Sequence, residues 1–267
     1  VNQKVFGYPE FDGAGERLLT TYDGLYRNML MDIRIYRMNA GDIRRFHSSD
    51  EEIAVLLQKG HIVFKWDGEC HACVRKDVFT EGPWAVHICR DTELIAECLK
   101  DGTEILVQRT HNNREFASKL YSEKEAPWND VCRGKFGDTA NRRVNTIFDY
   151  NTAPYSNMVL GEVLNDPGNW SGYIPHHHPQ PEVYYFLFDR PEGFGASYVG
   201  DEVYKSTDGS FSAIPGGVTH PQVSAPGFIM YTCWMIRHLE NNPWVDRIDD
   251  KRYTWLYGWK GDEGHAL

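Results

Sequence analysis

The chain has 267 residues, 41% hydrophobic and 25% charged, and carries a formal net charge of −10. This length can bury a sizeable core as one large or two ordinary domains, and the composition leaves little room for a long disordered tail. The acidic balance argues against general nucleic-acid binding, which needs clustered Lys and Arg. No apolar run reaches the roughly 18 residues of a membrane-spanning helix, and VNQKVFGYPEFDGAGER at the start lacks a signal-peptide pattern, so a cytoplasmic enzyme with no membrane partner is expected.

In chain order, short alternating or apolar segments recur: MDIRIYRM from Met31, EIAVLLQKG from Glu52, HIVFKW from His61, PWAVHI from Pro83, ELIAEC from Glu93 and EILVQR from Glu104. The stretch from Ser122 to Tyr150, charged and poor in apolar residues, reads as a connection. A second series follows: NMVLGEVL from Asn157, EVYYFLF from Glu182, GFGASYVG from Gly193, SFSAIPG from Ser210 and FIMYTCWMI from Phe228. Gly, Pro, Asp and Asn punctuate both series, and no segment keeps a 3.6-residue period over an ordinary helix length, so the expected class is all-β, of sandwich or barrel type. The cysteines at 70, 73, 89, 98, 132 and 233 are spread without a disulfide framework, and the CxxC of Cys70 and Cys73 has no second CxxC to complete a zinc site. Reduced thiols are expected.

Chemistry concentrates in GNWSGYIPHHHPQPE, Gly168 to Glu182. Residues i and i+2 of an extended chain share a face, so His176 and His178 converge while His177 points away. Pro175, Pro179 and Pro181 form a stiff turn into a new strand at Glu182, where Glu182, Tyr184 and Phe186 share one face and Val183, Tyr185 and Leu187 the other. With His220 of IPGGVTHP, two imidazoles, a carboxylate and a third imidazole suit one divalent transition metal. The first half holds His47, His61, His71, His87 and His111, none in an HxH followed shortly by Glu, and is expected to bind no metal.

PGNWSGYIPHHH from Pro167, EVYYF from Glu182, GFG from Gly193, IPGGVTHPQVSAPGF from Ile214 and FGDTANRRVNTI from Phe136 carry a resemblance. The second half resembles the cupins, and within them the uronate isomerase family of the inositol and pectin pathways. Only three residues separate His178 from Glu182, fewer than in that family, His177 replaces a usual lysine, and GVTHP is a residue longer than the family's motif. The resemblance implies a bicupin: residues 1–135 a degenerate N-terminal cupin without metal, residues 136–267 a metal-binding cupin. It places the ligands on His176, His178, Glu182 and His220, with zinc the leading ion and Mn, Fe, Co or Ni suited to the same donors. It implies aldose–ketose interconversion of a deoxy-uronate, with 5-deoxy-glucuronate leading. Tyr184, Tyr231 and Glu162 are then candidates for moving the proton, and Arg142, Arg143 and Arg237 for the substrate carboxylate. The expected partner is a small sugar acid, and a homo-oligomer is compatible. Two rivals share the ligands: a cupin dioxygenase and a non-catalytic sugar-acid-binding cupin.

Overall fold

The computed structural model describes residues 4–259. Among the described residues the alternating segments pair antiparallel throughout. The first series builds a nine-stranded sheet, within which Lys119–Tyr121, Trp84–Ile88, Glu51–Trp66, Thr103–His111, Asp32–Met38 and Glu16–Thr20 are successive neighbours. The second series builds a seven-stranded sheet in the order Phe6–Gly7, Phe211–Ile214, Glu182–Phe188, Met230–Arg237, Met158–Asn165, Arg142–Phe148 and Asn129–Val131. A four-stranded sheet, from Trp170–Ser171 through Gln222–Ser224 and Phe194–Val199 to Glu202–Thr207, packs against the inner face of the seven-stranded one.

Two local readings of the sequence are corrected. The segments from Glu52 and His61 are one strand of 16 residues, Glu51–Trp66. Its register shifts between Leu57 and Lys59, and Gly60 adopts a φ of 111° there, where a Cβ would lie 2.2 Å from Thr103 Oγ1. The chain bends at that point, pairing with Trp84–Ile88 before it and with Glu69–Arg75 and Leu94–Cys98 after it. The supposed connection from Ser122 to Tyr150 contains two strands of the seven-stranded sheet. In RRVNTIF, Val144 and Thr146 turn inward, and a register shift between Thr146 and Phe148 lets both Ile147 and Phe148 pack outward, so polar residues and a bulge hide the period.

Three apolar cores follow from strand parity. One fills the first half with Phe46, Val55, Ile62, Phe64, Trp66 and Ile105. A second lies between the halves, where Ile33, Leu56 and Leu106 meet Leu160, Tyr185, Phe211 and Met235. The third lines the inside of the second half with Phe186, Phe188, Met230, Trp234 and Ile236. Each fully buried side chain of this size contributes about 1.5–3 kcal/mol, so the shared middle core binds the halves strongly. Helical structure among the described residues is limited to short 3-10 turns, and none is long and apolar enough to cross a membrane. All six cysteines are free.

Candidate metal centre

The strand Glu182–Phe188 begins where the proline turn ends, and its alternation sends Glu182, Tyr184 and Phe186 into the second half while Val183 and Tyr185 join the core between the halves. His176 and His177 form a two-residue strand paired with Ile248–Asp249. His178 follows it, and its carbonyl accepts the Gly217 N–H at 2.7 Å, which ties the histidine turn to the loop that carries His220. His176, His178, Glu182 and His220 are all buried, whereas His177 is only half-buried.

All three buried imidazoles are anchored in the same sense. Nδ1 of His176 contacts the Ile174 carbonyl at 3.2 Å, that of His178 the Gln180 carbonyl at 2.9 Å, and that of His220 the Val218 carbonyl at 2.7 Å. A carbonyl only accepts, so each Nδ1 carries a proton, and a neutral imidazole in this tautomer presents its lone pair at Nε2. Nε2 of His178 and Nε2 of His220 lie 3.1 and 3.0 Å from the same Glu182 oxygen. Lone pairs on two nitrogens facing one carboxylate repel unless positive charge lies between them, which is the donor arrangement of a cation site. The candidate ligand atoms of His178, Glu182 and His220 all fall within 4.8 Å of one another. His176 lies outside that tight group, with its ring centre 4.8 Å from that of His220, and faces the same cavity.

The cavity has a volume of about 220 Å³. His176, His178, Glu182, Tyr184, Arg142 and Arg247 supply its polar wall, and Val144, Val163, Trp234, Ile236 and Trp244 its apolar wall. Burial pushes His176 well below an ordinary imidazole, and the positive charge of Arg247 acts in the same direction. Burial, reinforced by Glu182, holds the Tyr184 phenol well above its usual value, so it stays protonated. Gly161 makes room for the apolar wall, because a Cβ there would lie 2.3 Å from the Trp234 ring.

The other expected residues are dispersed. Arg142 reaches the cavity wall, yet its Nη1 and Nη2 are spent on the carbonyls of Ala140 and Tyr173, at 2.9 and 3.2 Å. Glu162 and Tyr231 lie on the opposite face of the sheet: Glu162 receives Arg75 at 2.9 and 3.1 Å, Asn145 at 2.9 Å and the Tyr231 hydroxyl at 2.7 Å. Arg237 donates to Thr110 at 2.7 Å across the junction of the halves, and Arg143 sits over the Trp128 ring. In the first half His87 is bonded to Glu52 at 2.8 Å, His71 to Glu69 at 2.9 Å, and His111 lies 3.1 Å from Asp50; His47 is exposed and His61 half-buried. Arg247, Trp244, Gln222 and Thr232 line the cavity without having been singled out from the sequence. The nearest signal for Gln222 was the Pro221–Gln222 pair that follows His220; the segment from 238 onward offered none.

A sequence profile of the KduI/IolB family matches residues 10–256. A 5-deoxy-glucuronate isomerase of Geobacillus thermodenitrificans is 24% identical over 241 residues, covering 79% of this chain and 84% of the relative. Another, of Geobacillus kaustophilus, is 26% identical over 215 residues, covering 74% and 75%. An IolB-like protein of Salmonella typhimurium LT2 has a similar structure, with a TM-score of 0.83 at 16% identity over 95% of this chain and 99% of that one. An oxalate decarboxylase of Lactobacillus farciminis reaches 0.68 at 10% identity over 95% and 90%. These structural likenesses show the all-β bicupin fold expected from the sequence.

Proposed function

Because the chain belongs to the KduI/IolB family, we propose that it interconverts the aldehyde and ketone forms of a deoxy-uronate, 5-deoxy-glucuronate above all, at a divalent metal held in its second half. Its family and named relatives make it an isomerase, an intramolecular oxidoreductase. The observation that carries the metal reading is the common anchoring of His176, His178 and His220 through Nδ1, which leaves three lone pairs and the Glu182 carboxylate to share one cation. His178, Glu182 and His220 are the core ligands and His176 the fourth donor. The donor set suits zinc, the leading ion by family likeness, as well as Mn, Fe, Co or Ni. One ion per chain is expected, in residues 136–267, with residues 1–135 supplying packing and no metal of their own.

The reaction shifts one proton between adjacent carbons and another between their oxygens. Bound metal supplies a Lewis acid that lowers the cost of negative charge on those oxygens. Tyr184, kept as a neutral phenol within the cavity, donates a hydrogen bond to the oxygen where charge develops and carries the oxygen-bound proton. The apolar wall of Trp234, Ile236 and Trp244 faces the carbon-bound hydrogens of a deoxy-sugar and keeps water away from the reacting carbons. The test is an anaerobic assay of metal-loaded and metal-stripped protein with 5-deoxy-glucuronate. Turnover that disappears with the metal and returns on its addition supports the reading; turnover requiring oxygen uptake favours a dioxygenase, and binding without conversion a non-catalytic protein.

A further inference from the structure

Beyond the ligands and Tyr184, we propose that Arg247 is the residue that selects an acidic substrate, taking the sugar carboxylate on its guanidinium, and that Asp249 positions it. This rests on the isomerase reading above. The residues after the strand Met230–Arg237 fold back over the open end of the second half. Gln180 Nε2 donates to the Asn242 carbonyl at 2.7 Å, and Trp244 packs its ring 5.7 Å from that of Trp234 and 6.3 Å from that of His178. Ile248–Asp249 then pairs with His176–His177, placing Asp249 opposite His176, and the Asp250 N–H bonds to the Pro175 carbonyl at 2.9 Å. Leu256 closes the segment by packing with Phe136, Ala140 and Ile174. Arg247 is thereby fixed in register with the histidine turn and brought to the cavity that holds His176, His178, Glu182 and Tyr184.

Two arginines line this cavity, and their hydrogen bonds separate their roles. Arg142 is buried and gives both terminal nitrogens to backbone carbonyls, so it holds the wall together. Arg247 forms an ion pair from Nε to Asp249 Oδ1 at 3.0 Å, without hydrogen-bond alignment, and donates Nη2 to the Tyr257 hydroxyl at 3.3 Å, while Nη1 makes no hydrogen bond to the described residues. Asp249 also accepts from the Tyr257 hydroxyl, so the carboxylate sets the plane of the guanidinium from behind. A guanidinium oriented through one edge and open at the other is suited to a carboxylate, since its planar donors match two oxygens at once. Its half-buried position keeps the charge close to solvent before binding and dry once a sugar fills the cavity.

The experiment compares a deoxy-uronate with the neutral deoxyhexose that has CH2OH in place of the carboxylate, using the full chain loaded with metal. Arg247→Gln should lower kcat/KM for the uronate by at least about 30-fold, mainly through KM, while the neutral sugar changes by less than about threefold. Arg247→Lys should recover part of the loss, and Asp249→Asn should fall between the wild type and Arg247→Gln. A folded Arg247→Gln protein that keeps the wild-type preference for the acid overturns the assignment. If the wild type converts neither sugar, the isomerase reading fails, and calorimetric titration with glucuronate decides this one separately: tight binding lost in Arg247→Gln upholds it, and equal binding, or none to the wild type, overturns it. Thermal melting identifies misfolded variants, with Arg247→Lys then standing in for Arg247→Gln.

Discussion

The two faces of the seven-stranded sheet each bury one glutamate, and the two differ in what surrounds the charge. Glu162 points at the first half, where the Arg75 guanidinium, Asn145 and Tyr231 supply four hydrogen bonds, enough to fill a carboxylate's acceptor sites. Arg75 completes the closure by donating to the carbonyls of Leu57 and Glu81. Glu182 points the other way, into a cavity, at nitrogens whose lone pairs need a cation. Burial of a carboxylate is therefore not what marks a reactive site: a partner that brings its own positive charge makes a structural junction, and a partner that offers lone pairs makes a place for a metal. The same contrast separates the halves, because the interior of the first is packed with Val55, Phe64, Trp66 and Leu94, whereas that of the second is apolar at one end and polar at the other.

The comparison breaks most sharply at Glu182. Glu182→Gln should cut isomerase turnover by at least about 1,000-fold and deplete bound metal, since a Lewis-acid contribution of several kcal/mol is at stake; elemental analysis and rates on the same preparation check this. Glu162→Gln should instead cost about 3–5 kcal/mol of stability in denaturant unfolding, by leaving Arg75 buried without its counter-charge, while the folded fraction keeps its metal. Replacing Arg75 and Glu162 together by Met and Leu should recover much of that loss. At the next level, Tyr184→Phe should lower kcat about 100-fold with metal content unchanged, whereas Tyr231→Phe should spare kcat and cost about 1–3 kcal/mol by leaving a Glu162 acceptor unpaired.

A further effect is on pH dependence. Burial holds His238 down to about 4, and its Nδ1 accepts the Trp244 N–H at 2.9 Å as a neutral ring. The unfolded chain binds this proton more readily, so His238 contributes stability that is fully present above about 6.5 and is lost as pH falls through about 4. Unfolding midpoints for His238→Gln across that window should fall less steeply toward acid than those of the wild type; an unchanged slope would show that other groups set it.

The strands and the inward aim of the candidate ligands were legible for the same reason: parity. A period of two places Glu182 and Tyr184 on one face and Tyr185 on the other, and HxH puts two imidazoles on one side of a chain, all without reference to distant residues. What parity does not reveal is which face looks at what. Glu162 and Tyr231 read as catalytic because a polar group on an apolar strand stands out, yet their partner Arg75 lies 87 residues before Glu162, and only the packing of the halves joins them. Arg247 and Trp244 went unnoticed for the converse reason, since they sit in a segment with no period, and their place comes from pairing with the histidine turn. The strand Arg142–Phe148 was hidden by its own bulge and charges, and the bend at Gly60 divided one strand into two apparent ones.

The most direct test of the account is metal content and 5-deoxy-glucuronate isomerisation measured together on wild type, Glu182→Gln and Glu162→Gln. About one equivalent of metal and full turnover are expected in the wild type, neither in Glu182→Gln, and both in the folded fraction of Glu162→Gln. Full metal and turnover in Glu182→Gln, with both lost from folded Glu162→Gln, would contradict it.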